Sequence, residues 1–282
     1  MEPSTINTAL VTGSTDGLGR AAAFELAAFG AHVIVHGRDE ARGAEVVREI
    51  SARGRGSAEF LEADFSSLRE VAALADRILA ERGRLELLIN NAGIWADGGH
   101  SERRSSVDGH ELIFAVNYLA GFALTRRLLP LLGRSAPARI VNVASLAQQP
   151  IDFRNVMLNE GYSASRAYSQ SKLAQVMFTF DLARELRGSG VTVNALHPAT
   201  LMDTTMVRLA GVAPRSRLDE GVEALMHLAV GPDLEGRTGL YFNGMGEARA
   251  HAQAYDESAR AELRALSFEL TGLGRNAEQN SP

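Results

Sequence analysis

Short apolar runs alternate with longer stretches in which apolar residues recur every three or four positions. Ala9-Leu10-Val11, Val33-Ile34-Val35 and residues 85–89, 140–143, 191–196 and 240–242 read as strands, with a further strand just ahead of Asp64. Residues 17–29, 39–52, 67–82, 113–132 and 163–187 read as helices. Parallel strands need crossover connections, and strands covered on both faces lose the apolar/polar alternation, as these have. The pattern therefore predicts one α/β domain, a doubly wound parallel sheet of about seven strands with helices on both faces. It spans residues 1–275 and leaves 276–282 as a fraying polar tail. Residues 147–161 and 201–217 lack periodicity, and both follow predicted strands, where ligand crevices open in such sheets.

Composition narrows the function. In the 282 residues, 29 Lys and Arg stand against 34 Asp and Glu, a formal charge of -5, so no global basic field favours nucleic acid or an anionic membrane surface. There is no cysteine, which removes disulfides, thiolate nucleophiles and Cys-ligated metals. The first eight residues carry no basic cluster, and no signal peptide is expected before the first strand, so the expected location is the cytoplasm. The most apolar long window, 114–132, is interrupted by Arg126, Arg127 and Pro130 and is expected to be a buried helix, not a membrane span.

The first strand runs into Thr12-Gly13-Ser14-Thr15-Asp16-Gly17-Leu18-Gly19 and then an Ala-rich helix. Three glycines in a strand-to-helix turn let the backbone approach a pyrophosphate at the helix N-terminus, where unpaired amides and the macrodipole favour negative charge. A tight turn without a ligand is the alternative meaning. The second strand ends in His36-Gly37-Arg38-Asp39, where Gly37 leaves room and Arg38 can make charge-assisted bonds to a 2′-phosphate, favouring NADP (NADPH). Asp39 lies at the spacing of a ribose-binding acid but reads better as a helix N-cap. Asp16 counts against a phosphate, so NAD stands as the alternative cofactor. Asp64 is placed to accept from the adenine amino group or to cap a helix; Asn90-Asn91-Ala92-Gly93 offers close backbone approach or a simple turn.

Tyr168 and Lys172 are four residues apart on a predicted helix and share one face, with Cβ atoms ~5–6 Å apart. A free phenol has a pKa of ~10, so proton exchange near neutrality needs a shift of about three units, worth ~4 kcal/mol, which a nearby ammonium can supply. The plainer meaning of this spacing is a surface Tyr and Lys. Tyr162 and Arg166 repeat it, but they lie at the irregular approach to the helix, and a guanidinium does not release its proton. Ser145 ends the fifth strand, where its hydroxyl can meet a substrate oxygen. Asn117, inside an apolar helix, needs partners and can hold a water.

Together these residues resemble the short-chain dehydrogenase/reductase family: the glycine turn from Thr12 to Gly19, Asn90 to Gly93, Asn117, Ser145, and Tyr168 with Lys172, all in order along nearly the whole chain. The long Ser145 to Tyr168 separation, Arg38 and Asp64-Phe65-Ser66-Ser67-Leu68 are similar to the retinol dehydrogenase and WW-domain oxidoreductase branch, and to bacterial ketoreductases. The resemblance implies a Rossmann domain and an oxidoreductase interconverting a carbonyl and an alcohol on a bulky apolar small molecule. Tyr168 is then general acid/base, Ser145 orients the carbonyl oxygen, Lys172 binds the nicotinamide ribose and acidifies the tyrosine, and Asn117 holds a relay water. Cofactor contacts fall on Gly13, Ser14, Thr15, Asp16, Gly17, Leu18, Gly19, Arg38, Asp64, Phe65, Asn91, Ala92, Gly93, Tyr168, Lys172, Pro198 and Thr200; no metal is expected. The chain departs from the family's Pro-Gly at His197-Pro198-Ala199-Thr200, which displaces the cofactor-touching threonine towards Thr204. Ser145, Trp95, Phe153, Met202 and Met206 are expected to line an adaptable substrate cleft; packing of the loops is the other reading. A homodimer or homotetramer is expected through the helices carrying Asn117 and Tyr168. Two other classes fit parts of the pattern: a non-catalytic NADP-binding redox sensor, and a dehalogenase in which an anion pocket replaces the cofactor.

Overall fold

The computed structural model describes residues 6–95 and 102–274. Its elements run β1 (Thr8–Val11), α1 (Gly17–Ala28), β2 (His32–Gly37), α2 (Glu40–Arg53), β3 (Ser57–Glu62), α3 (Leu68–Glu81), β4 (Leu87–Asn90), α4 (Leu112–Phe114), α5 (Ala120–Arg134), β5 (Ala138–Val143), α6 (Ala164–Glu185), β6 (Val191–His197), α7 (Thr205–Leu209), α8 (Leu218–Val230), β7 (Tyr241–Asn243), β8 (Gly246–Glu247) and α9 (Glu257–Thr271). A π-helical turn, Ala115–Leu119, joins α4 to α5. The proposed limits of the C-terminal tail lie outside the described residues.

The sheet order is β3-β2-β1-β4-β5-β6-β7-β8. The first seven strands are parallel, and the eighth is a two-residue antiparallel return after β7. That return is one strand more than expected; two residues leave no periodicity to read. The winding order reverses between β1 and β4, the switch point outside whose carboxyl ends ligands bind in such sheets.

The expected burial on both faces is present. Leu10, Ile34, Leu88, Ile140 and Val193 point into a layer shared with α3, α5, α6 and α9. Val11, Val35, Ile89, Val141 and Leu196 point into the opposite layer, with α1, α2 and α8. A strand buried on both faces must be apolar at every position, which is why these runs are continuous. The helical stretch Leu112–Arg134 is long and apolar enough to cross a membrane, and 67% of its apolar window is buried within this fold.

Helix starts follow their local chemistry. Asp16 accepts from Gly17 N, Asp39 from Arg42 N, Ser67 from Glu70 N and Ser163 from Arg166 N, each fixing an end whose first amides lack intrahelical partners. Asp39 is thus the N-cap that its sequence position suggested.

Candidate active site

The glycine turn is built so that only glycine fits. A Cβ on Gly13, at φ +63, would lie 2.8 Å from Ala92 Cα, and one on Gly19 would lie 2.4 Å from both Gly13 O and Asn91 Nδ2. The turn after β1 therefore rests directly on the turn after β4. Hydrogen bonds staple them: Thr12 Oγ1 accepts from Asn91 N (2.9 Å) and Ala92 N (3.0 Å), while Asn91 Nδ2 donates to Thr12 O (2.8 Å) and Gly13 O (3.0 Å). Asn91 and Ala92 hold the turn's shape with these groups.

His36, overlooked from the sequence, is the turn's internal support. Its Nδ1 accepts from Gly13 N at 3.1 Å, which leaves Nε2 as the protonated nitrogen donating to Ala63 O, also at 3.1 Å. Burial drives its pKa from 6.5 to about 4, against weaker raising effects of the Ala63 bond and Asp64, so the ring stays neutral. Ser14 is equally occupied: its hydroxyl donates to Val11 O, accepts from His36 N, and its amide donates to His36 O. Phe65 is buried with its ring 4.2 Å from that of His36, so its side chain backs the turn. Asp64 does not cap α3, which Ser67 does; its carboxylate accepts from Ser66 N at 2.8 Å.

Around this turn the charges suit an anion with a second phosphate. Asp16 is engaged by Arg42 at 3.6 Å, which offsets the acid that argued for NAD. Arg38 is exposed at the tip of β2, and Gly37 beside it is pressed against Thr15, whose Cγ2 would be 2.7 Å from a Cβ there. Thr204 caps α7 and lies beside Gly17, whose missing Cβ would be 3.4 Å from its methyl group. Thr200 is exposed and accompanies His197 (Nε2 to Oγ1, 3.1 Å), while Pro198 is buried. Glycine cradle, helix N-terminus and exposed guanidinium form a site that fits a dinucleotide.

Across the crevice, α6 presents Tyr168 and Lys172 on one face. The Tyr168 phenol lies beside Ser145, the residue just beyond β5, whose side chain acts on it against the effect of burial. Ser145 is itself clamped: its carbonyl accepts from Gln148 Nε2 (2.7 Å) and Tyr241 Oη (2.9 Å), and its Oγ accepts from Ala147 N (3.1 Å). Lys172 is buried, with Nζ donating to Val143 O at 2.8 Å and Gln175 Oε1 at 2.9 Å, and lying 5.6 Å from the centre of the Tyr168 ring. Asn117 sits in the π-helical turn, a distortion frequent at functional sites. Its Oδ1 accepts from Ile94 N (2.7 Å), and its Nδ2 donates to Ile94 O and Ser171 Oγ, tying α6 to the turn after β4. Gly93 lies between, a Cβ there falling 3.3 Å from Asn117 Oδ1 and 3.6 Å from Lys172 Nζ.

The electrostatics correct one expectation. Burial pushes the Tyr168 phenol above its ordinary value, opposed only by the Ser145 side chain, and drives Lys172 from 10.5 to about 7. Burial is the first cause in both groups, because desolvation destabilises the phenolate and the ammonium alike. His197, at the end of β6, is also lowered to about 4, by burial first and then by Lys172. It was overlooked too, although its place at a strand's C-terminal end was the available signal.

The substrate candidates separate. Trp95 packs its ring 5.6 Å from that of Tyr168, beside a small apolar cluster of Ile94, Ile113, Leu158, Tyr162 and Ala167. Leu158 in that cluster holds a left-handed backbone (φ 48) while fully buried, a strain that persists only where packing enforces it, and half-buried Leu201 in the other aperiodic segment holds one too (φ 49). Phe153 instead lines a surface groove with Leu266, Phe268 and Leu273 against α9. Met202 turns to the opposite side of the sheet, its sulfur filling the space above Gly221 of α8. Met206 is half-buried on α7. Tyr162 leans towards Glu111 (3.5 Å) and Arg166 towards Asp152 (3.4 Å), so that pair does not form. Among the described residues no group of three His, Asp or Glu gathers as a metal site.

Sheet order, glycine cradle and the Ser, Tyr and Lys cluster define a nucleotide-binding oxidoreductase site on a doubly wound domain. The sequence model of the short chain dehydrogenase family matches residues 7–211, and this chain belongs to that family. Retinol dehydrogenase 14 of Mus musculus is 38% identical over 291 residues, covering 94% of this chain and 86% of that protein. Among solved structures, a Pseudomonas aeruginosa RhlG/NADP active-site complex is 30% identical with a TM-score of 0.69, covering 86% of this chain and 97% of that one. A short chain dehydrogenase of Escherichia coli CFT073 complexed with NADPH is 28% identical with a TM-score of 0.70, covering 85% and 97%.

Proposed function

We propose that this chain is an NADP(H)-dependent oxidoreductase that interconverts a carbonyl and an alcohol on a bulky apolar small molecule. The observation that carries this reading is the placement of Tyr168 beside Ser145 with Lys172 beneath its aromatic ring, beyond the C-terminal end of β5.

In this reading Gly13 to Gly19 hold the pyrophosphate, Arg38 binds the 2′-phosphate, and Asp64, Phe65, Asn91, Ala92, Gly93, Pro198 and Thr200 border the rest of the dinucleotide. NADP over NAD is supported by the exposed Arg38, which has no ion-pair partner among the described residues, and by the pairing of Asp16 with Arg42. When bound, the cofactor supplies the hydride and, in its oxidised form, a positive ring that favours phenolate. The chain's own part is orientation and proton exchange. Ser145 donates to the substrate oxygen, and Tyr168 protonates that oxygen as it becomes alkoxide-like; both bonds strengthen with its charge and so favour the transition state. A phenol held neutral by burial is the form that donates, which suits the reductive direction. Lys172 contacts the nicotinamide ribose, and Asn117 holds the water of the relay.

The apolar wall of Trp95, Ile94 and Ile113, together with half-exposed Leu146 next to Ser145, supports a bulky apolar substrate, as does 38% identity to a retinol dehydrogenase. NADPH and NADH oxidation measured over a panel of bulky aromatic ketones, aldehydes and retinaldehyde tests the reading, with turnover and a preference for NADPH expected. Tight NADPH binding with no turnover on any of them would replace it with the redox-sensor reading. A homodimer or homotetramer joined through α5 and α6 is part of the proposal, checked by size exclusion with light scattering.

A further inference from the structure

Lys172 is the chain's single lysine, set against 28 arginines. The ammonium meets two acceptors and no carboxylate. From β5 comes the Val143 carbonyl at 2.8 Å, and from α6 itself the amide oxygen of Gln175 at 2.9 Å. Gln175 lies three residues further along the helix, on the same face, and is buried. Its turn is anchored from behind, since Thr179 Oγ1 donates to Gln175 O and accepts from Asn142 Nδ2, and Asn142 Oδ1 accepts from Asn90 Nδ2. A run of buried hydrogen bonds thus crosses from β4 through β5 to α6 and ends beside the lysine.

The groups facing Nζ from each neighbouring element are Tyr168 on α6, the Val143 carbonyl on β5, His197 on β6 and the side-chain-free Gly93 after β4. None is an anion while Tyr168 keeps its proton, and His197 is neutral above about pH 5 because its pKa lies near 4. Burying an ammonium among neutral partners is costly, and each acceptor therefore counts. A carboxylate at position 175 would fix the charge permanently; an alkyl group would leave one acceptor.

We propose that Gln175 is a positioning residue that acts through Lys172: its neutral amide oxygen, with the Val143 carbonyl, fixes Nζ beneath the Tyr168 ring. The inference rests on the reading of Tyr168 and Lys172 as the reacting pair, but its test does not require turnover.

With one lysine in the chain, isotope labelling of lysine gives a single side-chain Cε signal, whose titration by NMR reports Lys172 directly. The full-length wild type, Gln175→Glu and Gln175→Leu are compared from pH 5 to 10. The wild-type midpoint is expected near 7; Gln175→Glu raises it by about one unit or more, and Gln175→Leu lowers it. Gln175→Met, which keeps the length without the acceptor, replaces the leucine variant if that one does not fold. Midpoints unchanged in the folded variants overturn the proposal. If a carbonyl substrate is found, the alkaline limb of the kcat/KM profile moves with the same sign. Shifted midpoints in a protein that reduces no carbonyl refute the oxidoreductase reading and leave the role of Gln175 in place.

Discussion

Lys172 lies under the ring of Tyr168, not at its hydroxyl: Nζ is 5.6 Å from the ring centre and spends its hydrogen bonds on Val143 and Gln175. The polar neighbour that acts on the phenol is Ser145. The two members of the pair therefore do different work, the lysine as a local charge and ribose contact, the tyrosine as the proton donor.

Replacing Tyr168 by Phe removes the donor and leaves the packing against Trp95. Carbonyl reduction is expected to fall by about 10²–10⁴-fold, the range for a general acid. NADPH affinity, followed by fluorescence titration, is expected to stay within a few-fold, since Phe keeps the ring that packs against Trp95 and the glycine cradle is untouched.

Arg38→Ala tests cofactor choice. Loss of charge-assisted bonds worth about 1.5–3 kcal/mol weakens NADPH binding by roughly 10- to 150-fold. NADH binding is expected to hold, so the ratio of the two dissociation constants is the decisive quantity. An unchanged ratio removes Arg38 from the 2′-phosphate site.

Gly19→Ala places a methyl group 2.4 Å from Gly13 O and Asn91 Nδ2. Backbone must move, at a cost of about 1–3 kcal/mol, which lowers the melting temperature by roughly 2–10 °C. Cofactor binding is expected to be lost more completely than stability, because the displaced atoms belong to the cradle.

Stability should decline in mild acid. The folded pKa values of His36 and His197 lie near 4, below the unfolded value of 6.5, so the unfolded chain binds protons first. The stabilising effect of each neutral ring is present above pH 6.5 and is lost as pH falls through the window from 6.5 to 4. For His36 alone this amounts to about 2 kcal/mol between pH 7 and 5. Urea unfolding at both values measures it, and His36→Asn is expected to flatten the dependence.

Trp95→Ala and Met202→Ala separate the cleft from the core. The tryptophan variant is expected to raise KM for bulky substrates several-fold with a normal melting curve. The methionine variant leaves space above Gly221, costs roughly 1–3 kcal/mol of stability and leaves KM alone. Denaturation and initial-rate measurements on the same preparations distinguish them.

Much of this molecule was legible in local pattern. Continuous apolar runs and helical periodicity specify strands covered on both faces, glycines at 13, 17 and 19 mark the turn, and four-residue spacing places Tyr168 and Lys172 on one face; all of this comes from bond geometry and short-range sterics. Where a loop side chain points is set by distant partners, so only the tertiary structure could send Met202 to α8 and Phe153 to α9. The same holds for charge. The sequence shows a phenol and an amine close together, and proximity alone argues for an acidic tyrosine. Burial by residues far along the chain reverses that direction, and it makes His36, an ordinary histidine by its local pattern, the neutral support on which the glycine turn rests. Desolvation is a property of the whole packed structure and is not encoded at any single position.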